Sequence, residues 1–479
     1  MIHKVILYGA GERCKQLSRI LQQTDIEIAA IIDSDRDKWG DTIEGNEIMS
    51  PECMQKYCEE WFCITVADFR VKKMILESLY EQYHCDEKKE IHYNKLILEA
   101  YKQCLLIRKK IEKRNTDDQK ESILFDCYNG LVLGGVEAWT VDLCETLIKS
   151  GKNRTFVISD NGNYDIPDWL VNHILSADIN HQNAFAISSI KSLIEIILGK
   201  LPCKVITCTT NEVMLAAYLV KLFYPEKIQI LSVIHNSNER VYKEYMDFRE
   251  CPDYYISVSQ DIKRDMVGRG IEEKYISSIT CPFACDPVLK RDYSEDSSLP
   301  IRIGYAGRLE YEQKRMDLIL KLLELLVKKN VCFQMEIAGD GAAKEDMEKF
   351  VSYHHLVHQV QFLGRLEREK IPAFWKRQDI CVNLADYEGR SIMIIEAMGN
   401  GAVPVVTATS GVSDDIIDAV NGYIVPLQDY EAAANRIEYL EKHRKQLRKL
   451  GKLAHDEVYP KSLMEQHVED WKEILNLKQ

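Results

Sequence analysis

Along the whole chain, short apolar runs alternate with longer amphipathic stretches. The first run, KVILYGAG from Lys4, leads into a span of helical period through Leu21 and then into a second run, EIAAIID, which ends at Asp33. Short continuous apolar runs suit strands covered on both faces, and the periodic spans between them suit helices, so the order is β-α-β. The same grammar resumes at Ser122 with SILFDCY, TFVIS, KVITCTT, IQILSVIH and YYISVS. It resumes again near Leu299 with IRIGYAG, CFQMEIAGDG, VQFLG, DICVNLAD, AVPVVTA and GYIVP. Alternating strands and helices predict open parallel sheets, whose ligands sit beyond the carboxyl ends of the strands.

Residues 1–95 form a small Rossmann-like module of nucleotide-binding type, with a further strand at WFCITVAD. Residues 96–121 favour helix, carry dense charge and lose their apolar period toward the end, which marks a helical linker. Residues 122–298 and 299–479 then make two α/β lobes that share an architecture and no sequence repeat. A length of 479 residues fits three such units at roughly 100 to 200 residues per domain.

Apolar residues at 46% and charged residues at 29% place the chain among folded proteins. A net charge of -13 argues against a nucleic-acid partner, since a phosphate backbone is held by surplus Lys and Arg. Two basic patches, Arg108 to Arg114 and Lys442 to Lys452, read as solvated helix faces or as a peripheral contact with an anionic membrane surface. No run approaches the roughly 18 apolar residues of a membrane span, and the start goes straight into a strand, so a cytoplasmic location is expected. The 15 cysteines are scattered without a Cys-x-x-Cys pair and read as reduced core thiols. Cys281 and Cys285 lack a second pair, and His354 with His358 reads as a surface pair, so no metal site is expected.

In the first module Gly9, Gly11 and Cys14 stand where a dinucleotide-binding turn has three glycines, and Asp33 closes the second strand where a ribose-binding acid would be. No Tyr-x-x-x-Lys pair exists to relay a proton, which disfavours a redox enzyme. Together with the phrase DSDRDKWGDTIEGNEIMSPE, the module resembles small Rossmann-type domains attached to enzymes of bacterial polysaccharide assembly, which implies a scaffold or sensor role.

The segment DYEGRSIMIIEAMGNGAVPVV is the richest in chemistry. Glu388 and Glu396 are eight positions apart, with Gly389, Arg390 and Ser391 leading into an apolar helical run. Glu388 is then expected in a loop at a helix start and Glu396 about two turns inside. Such a start offers unpaired amides to a diphosphate over Gly389 to Ser391, while the carboxylates accept hydrogen bonds from sugar hydroxyls. Taken alone, the two acids read more readily as a solvated helix face.

The surroundings narrow the choice. GYAGRLEYEQKRMDLIL supplies Arg308 and Lys314, and Gly339-Asp340-Gly341, Phe362 to Gly364 and Gly401 with Pro404 and Val405 follow in order. The preceding lobe adds Gly134 to Glu137 and a strand-end histidine, His235. With two acids separated by seven residues, this set resembles the retaining glycosyltransferases of family 4. The resemblance implies the GT-B fold, two Rossmann-like lobes, here preceded by the small Rossmann-like domain, with a terminal helix bracing the other lobe.

It also implies transfer of a sugar from a UDP- or GDP-sugar. The attached first module points to a glycan or lipid-linked saccharide of the cell envelope as acceptor. With Arg, Lys and a helix end opposing the diphosphate, neither cofactor nor metal is expected to be required. Arg308 and Lys314 would clamp the diphosphate, Glu388 the transferred sugar and Glu396 the ribose. His235 would lie near the anomeric centre, and Gly134 and Gly135 would bring amides to phosphate or acceptor. Arg315 stands where the family has glycine after the lysine. The readings set against this are a catalytically weak GT-B module partnering another transferase, and an epimerase or sugar-phosphate synthase on the same fold.

Overall fold

The computed structural model describes residues 2–112, 120–127, 130–131, 135–152, 154–160, 162, 166–283 and 285–476. Gly134, the end of the first basic patch at Lys113 and Arg114, and the last residues from Leu477 lie outside these.

The first sheet has strands β1 (Lys4–Tyr8), β2 (Glu27–Ile32), β3 (Thr42–Ile43), β4 (Asn46–Met49) and β5 (Trp61–Ile64) in the order β3-β4-β2-β1-β5. All pairs are parallel except the short β3–β4 hairpin. Helix α1 (Glu12–Leu21) joins β1 to β2, and α2 (Phe69–Glu81) follows β5. Ile6, Tyr8, Ile32, Phe62, Ile64 and Leu79 are buried together, as the continuous apolar runs predict. The β3–β4 hairpin was hidden in the sequence, because two and four residues are too few to show alternation.

The stretch expected to link modules is packed over its first half. Helix α3 (Tyr93–Gln103) buries Leu96, Ile97, Leu98, Ala100 and Tyr101, and the Tyr101 hydroxyl donates to the Phe185 carbonyl at 2.6 Å. Helix α4 (Leu105–Glu112) buries Ile107 and Ile111 and keeps Arg108 and Lys109 exposed.

The second sheet contains β6 (Ser122–Cys127), β7 (Thr155–Ser159), β8 (Ile174–Ser176), β9 (Cys203–Thr207), β10 (Ile228–Ile234), β11 (Tyr254–Ser257) and β12 (Ile276–Ser278), ordered β12-β11-β10-β9-β6-β7-β8. Between its strands run α5 (Gly135–Lys149), α6 (Asp168–Val171), α7 (Ile187–Leu198), α8 (Glu212–Lys221), α9 (Glu239–Asp247) and α10 (Gln260–Gly268). Helix α8 is buried on all sides from Glu212 to Val220, so its stability rests on packing and on its cap. The Asn211 carboxamide oxygen accepts from the amides of Val213 (2.9 Å) and Met214 (3.3 Å), a cap whose loss costs about 1 kcal/mol. The outermost strands β8 and β12 have three residues each and carried no sequence signal.

The third sheet is wholly parallel. Its strands β13 (Ile301–Ala306), β14 (Phe333–Ala338), β15 (Val360–Gly364), β16 (Ile380–Asn383), β17 (Val403–Thr407) and β18 (Tyr423–Val425) lie in the order β15-β14-β13-β16-β17-β18. Helices α11 (Met316–Lys328), α12 (Lys344–Tyr353), α13 (Ile371–Lys376), α14 (Ile392–Gly399) and α15 (Tyr430–Lys442) cover it, followed by α16 (Lys445–Val458) and α17 (Met464–Leu475). On α11, Met316, Ile319, Leu322, Leu323 and Leu326 recur at helical spacing and are buried, each contributing roughly 1.5 to 3 kcal/mol.

Contacts divide the chain into two compact units, Met1–Ser232 with Tyr242–Tyr254, and Val233–Val241 with Tyr255–Gln479. All fifteen cysteines are free thiols, and most are buried. No described helix is long and apolar enough to cross a membrane.

Candidate active site

The motifs of the last lobe gather at the carboxyl ends of the third sheet's strands. Beyond β13, Gly307 to Leu309 packs against the turn beyond β14, where a Cβ on Gly339 or Gly341 would come within 1.9 and 2.3 Å of the Gly307 and Leu309 carbonyl oxygens. Both glycines have positive φ, +146° and +153°, so only glycine permits this approach. The Leu309 amide donates to the Asp340 carbonyl at 2.9 Å, and these contacts fix the backbone that carries Arg308.

Glu388 lies in the loop between β16 and α14 and is 6% exposed. Lys314 Nζ donates to its Oε1 at 2.5 Å, Asn383 Nδ2 to Oε1 at 3.2 Å and Gln313 Nε2 to Oε2 at 3.3 Å. Arg308 joins through Gln313, whose Oε1 accepts from its Nη2 at 2.9 Å. The Arg308 side chain is otherwise 65% exposed and makes a 3.1 Å pair with Glu310. Arg308, Lys314 and Glu388 therefore form one connected cluster. The two amides that join it, Gln313 and Asn383, were missed because neutral side chains carry no charge pattern, although Asn383 is the one polar end of an apolar strand.

At three positions of the acidic segment the geometry departs from the expected picture. Helix α14 starts at Ile392, so Glu396 is its fifth residue, little more than one turn inside. Gly389 does not present an open face, since a Cβ there would lie 2.0 Å from the His235 carbonyl oxygen and 3.1 Å from the Asn236 amide nitrogen. The Arg390 side chain is committed to a buried ion pair with Asp415. Lys314, from the preceding motif, pairs with Glu388 across to this segment. Ser391 remains at the helix start as its N-cap, makes no side-chain cap and receives a 3.4 Å hydrogen bond from Asn383.

His235 directly follows β10, as read from the strand pattern. Burial holds its imidazole down at about 4, so it is neutral near pH 7. Next to it, the Ser237 hydroxyl donates to the Glu388 carbonyl at 2.5 Å, which ties this strand end to the acidic loop. Burial pushes the Glu396 carboxyl up to about 7, with Arg368 opposing.

Arg315, where glycine was expected, adopts the left-handed conformation with φ +51°. Its guanidinium bonds both oxygens of Asp317, at 2.9 and 2.8 Å, and reaches Asp386 at 2.7 Å. Those bonds offset a backbone cost of roughly 1 to 2 kcal/mol.

In the first module Gly9 has φ +106° and a Cβ there would meet Val66 at 2.6 Å, so the turn requires glycine. Asp33 is committed to the protein. Its Oδ2 accepts from the Ala10 amide at 2.6 Å and Lys38 at 3.2 Å, and its Oδ1 accepts from the Asp35 amide at 2.8 Å. Gly11 is the uncapped start of α1, with open space where a Cβ would project. Gly135 opens α5. His354 stands 3.4 Å from Glu324 and His358 is exposed, a surface arrangement.

Residues 291–456 match the family described as Glycosyl transferases group 1, and residues 1–91 the family described as C2185-like, N-terminal. Over 176 residues the chain is 27% identical to the poly(ribitol-phosphate) alpha-N-acetylglucosaminyltransferase of Staphylococcus aureus, covering 36% of this chain and 35% of that one. Over 192 residues it is 27% identical to the lipopolysaccharide 1,6-galactosyltransferase of Escherichia coli, covering 38% of this chain and 51% of that one. The chain thus spans about a third and about half of the length of these two curated relatives. Its fold is similar to that of HepE from Anabaena in complex with UDP-glucose, with a TM-score of 0.61 at 15% identity over 74% of this chain and 100% of the other. The fold class is therefore α/β of the GT-B type, with the five-stranded N-terminal sheet preceding its two lobes.

Proposed function

We propose that the protein is a retaining glycosyltransferase of family 4, transferring a sugar from a nucleoside-diphosphate sugar to a glycan or lipid-linked acceptor of the cell envelope. The observation that carries this reading is the Lys314–Glu388 pair, held by Gln313 and Asn383 at the carboxyl ends of the third sheet. An arriving diphosphate competes for Lys314 and for the exposed Arg308, and that competition frees the Glu388 oxygens to accept from sugar hydroxyls. As the bond to the leaving nucleotide breaks, negative charge grows on the diphosphate, and the two cations with the uncapped Ser391 helix start offset it.

Glu396 holds the ribose hydroxyls in this reading, and neutral His235 faces the sugar near the anomeric carbon. With Arg and Lys already opposing the diphosphate, no divalent cation is required, and activity in EDTA equal to that with manganese is the expected result. UDP-sugars are the donors to try first, because HepE is a UDP and UDP-glucose complex. The acceptor class is supported by the relatives named for poly(ribitol-phosphate) and lipopolysaccharide substrates.

The test is release of nucleoside diphosphate from a panel of UDP- and GDP-sugars. The parent chain should release it from at least one donor, and Glu388→Ala and Lys314→Ala should lower the rate by at least 100-fold, as losses of transition-state electrostatics do. Variants as fast as the parent would remove the site assignment. Retention is read separately, by NMR of the anomeric proton in the product.

A further inference from the structure

A second cavity is built entirely from residues of the first compact unit. It is an open recess of about 480 Å³ whose wall includes Trp61, Glu90, His92, Lys95, Glu99 and Asp247. That volume falls in the range of roughly 300 to 1,000 Å³ typical of small-molecule sites. Trp61 opens β5 opposite Val5 of β1, so the cavity lies at the amino ends of these parallel strands. The Gly9 turn and Asp33 lie at the other end of the sheet, so this is not the phosphate mouth of a Rossmann-like module.

The charges around it are matched in pairs. His92 and Asp247 are 2.8 Å apart, Lys95 reaches Glu250 at 2.6 Å and Glu99 at 3.3 Å, Lys102 reaches the same two acids at 2.8 and 3.2 Å, and Lys72 reaches Glu90 at 3.0 Å. Four carboxylates thus meet three ammonium groups and an imidazole. An anion would confront the carboxylates, and a cation would have to displace an ammonium group already paired. What remains is hydrogen-bonding capacity, since each carboxylate oxygen has a further lone pair. The half-buried Trp61 indole adds a flat apolar surface, with Lys89 Nζ 5.6 Å from the ring centroid.

A neutral ligand with both an apolar C–H face and several hydroxyls fits this wall. We propose that the cavity is a saccharide-binding subsite, in which a neutral sugar unit stacks on Trp61 and donates hydroxyl hydrogen bonds to Asp247, Glu90 and Glu99. That this sugar belongs to the acceptor glycan rests on the function proposed above, whereas the binding itself does not.

The experiment is capture of the full-length chain, without donor, on an array of immobilised neutral, uronate-bearing and amino-sugar oligosaccharides. The parent should bind a neutral glycan, and Trp61→Ala and Asp247→Asn should each weaken that binding at least 10-fold. Thermal melting checks that each variant is folded, and donor hydrolysis by both should stay within twofold of the parent. No capture by the parent, capture undiminished in both folded variants, or a preference for charged glycans would overturn the subsite. Glycan capture without any nucleotide release from the donor panel would instead overturn the transferase reading and leave the subsite standing.

Discussion

Arg390 and Asp415 form a doubly bonded ion pair, Nε to Oδ2 at 2.8 Å and Nη2 to Oδ1 at 2.7 Å, with both side chains 2% exposed. Lys461 also reaches Asp415 at 3.0 Å, and Gly411 packs against the Gly389 carbonyl with φ +76°. The loop that carries Glu388 is thus anchored on one side by a buried charge pair and on the other by backbone contact. Arg390 acts through this anchor, as a positioning residue.

Removing one member of a buried pair strands the other, at a cost of about 3 kcal/mol here because Lys461 still serves Asp415. Arg390→Met should therefore lower stability by about that amount in urea unfolding. The double variant Arg390→Met with Asp415→Leu removes both charges and should be more stable than the single variant. A double variant less stable than the single one would mean the pair is not the anchor.

Glycine substitutions separate a packed turn from an open one. Gly389→Ala puts a methyl group 2.0 Å from the His235 carbonyl oxygen, where backbone faces backbone and neither side chain can yield. A loss of about 2 kcal/mol in stability and at least a 10-fold fall in donor turnover are expected. Gly11→Ala meets nothing within 4 Å and should change stability by less than about 0.5 kcal/mol. Equal effects at the two positions would contradict the close approach.

Arg315 gives a prediction of order. Arg315→Gly and Arg315→Ala both lose the bonds to Asp317 and Asp386, but only the alanine variant keeps the left-handed strain at φ +51°. Arg315→Gly should therefore be the more stable of the two by about 1 kcal/mol, the reverse of their order inside a helix. Paired denaturant titrations decide it.

The strands were legible because a strand buried on both faces announces itself as an apolar run, and Ser122–Cys127, Thr155–Ser159 and Ile301–Ala306 all stand where the runs placed them. The family resemblance singled out Lys314 and Glu388, but not that they pair with each other. What the pattern could not carry was pairing across long separations. Nothing periodic connects Arg390 with Asp415, and nothing in EIAAIID says that Asp33 will turn back to the Ala10 amide. Gln313 and Asn383 escaped because a neutral amide in a loop or at a strand end resembles ordinary turn chemistry.

Glu396 should make the protein's behaviour depend on pH near neutrality. Burial raises its folded-state value to about 7, above the ordinary 4.5. A carboxyl raised in this way adds stability below its unfolded value and loses that contribution as pH rises through its folded value. The parent should therefore fall behind Glu396→Gln in thermal stability between about pH 4.5 and 7, by on the order of 3 kcal/mol, with no further change above pH 8. The ionised form is also the better acceptor for ribose hydroxyls, so the donor KM of the parent should fall from pH 6 to pH 8. His235, neutral in the folded protein between pH 6 and 8 with its value near 4, contributes no slope to the donor KM. A Glu396→Gln enzyme should show a flat donor KM, and a KM that still falls with pH in this variant would place the titrating group elsewhere.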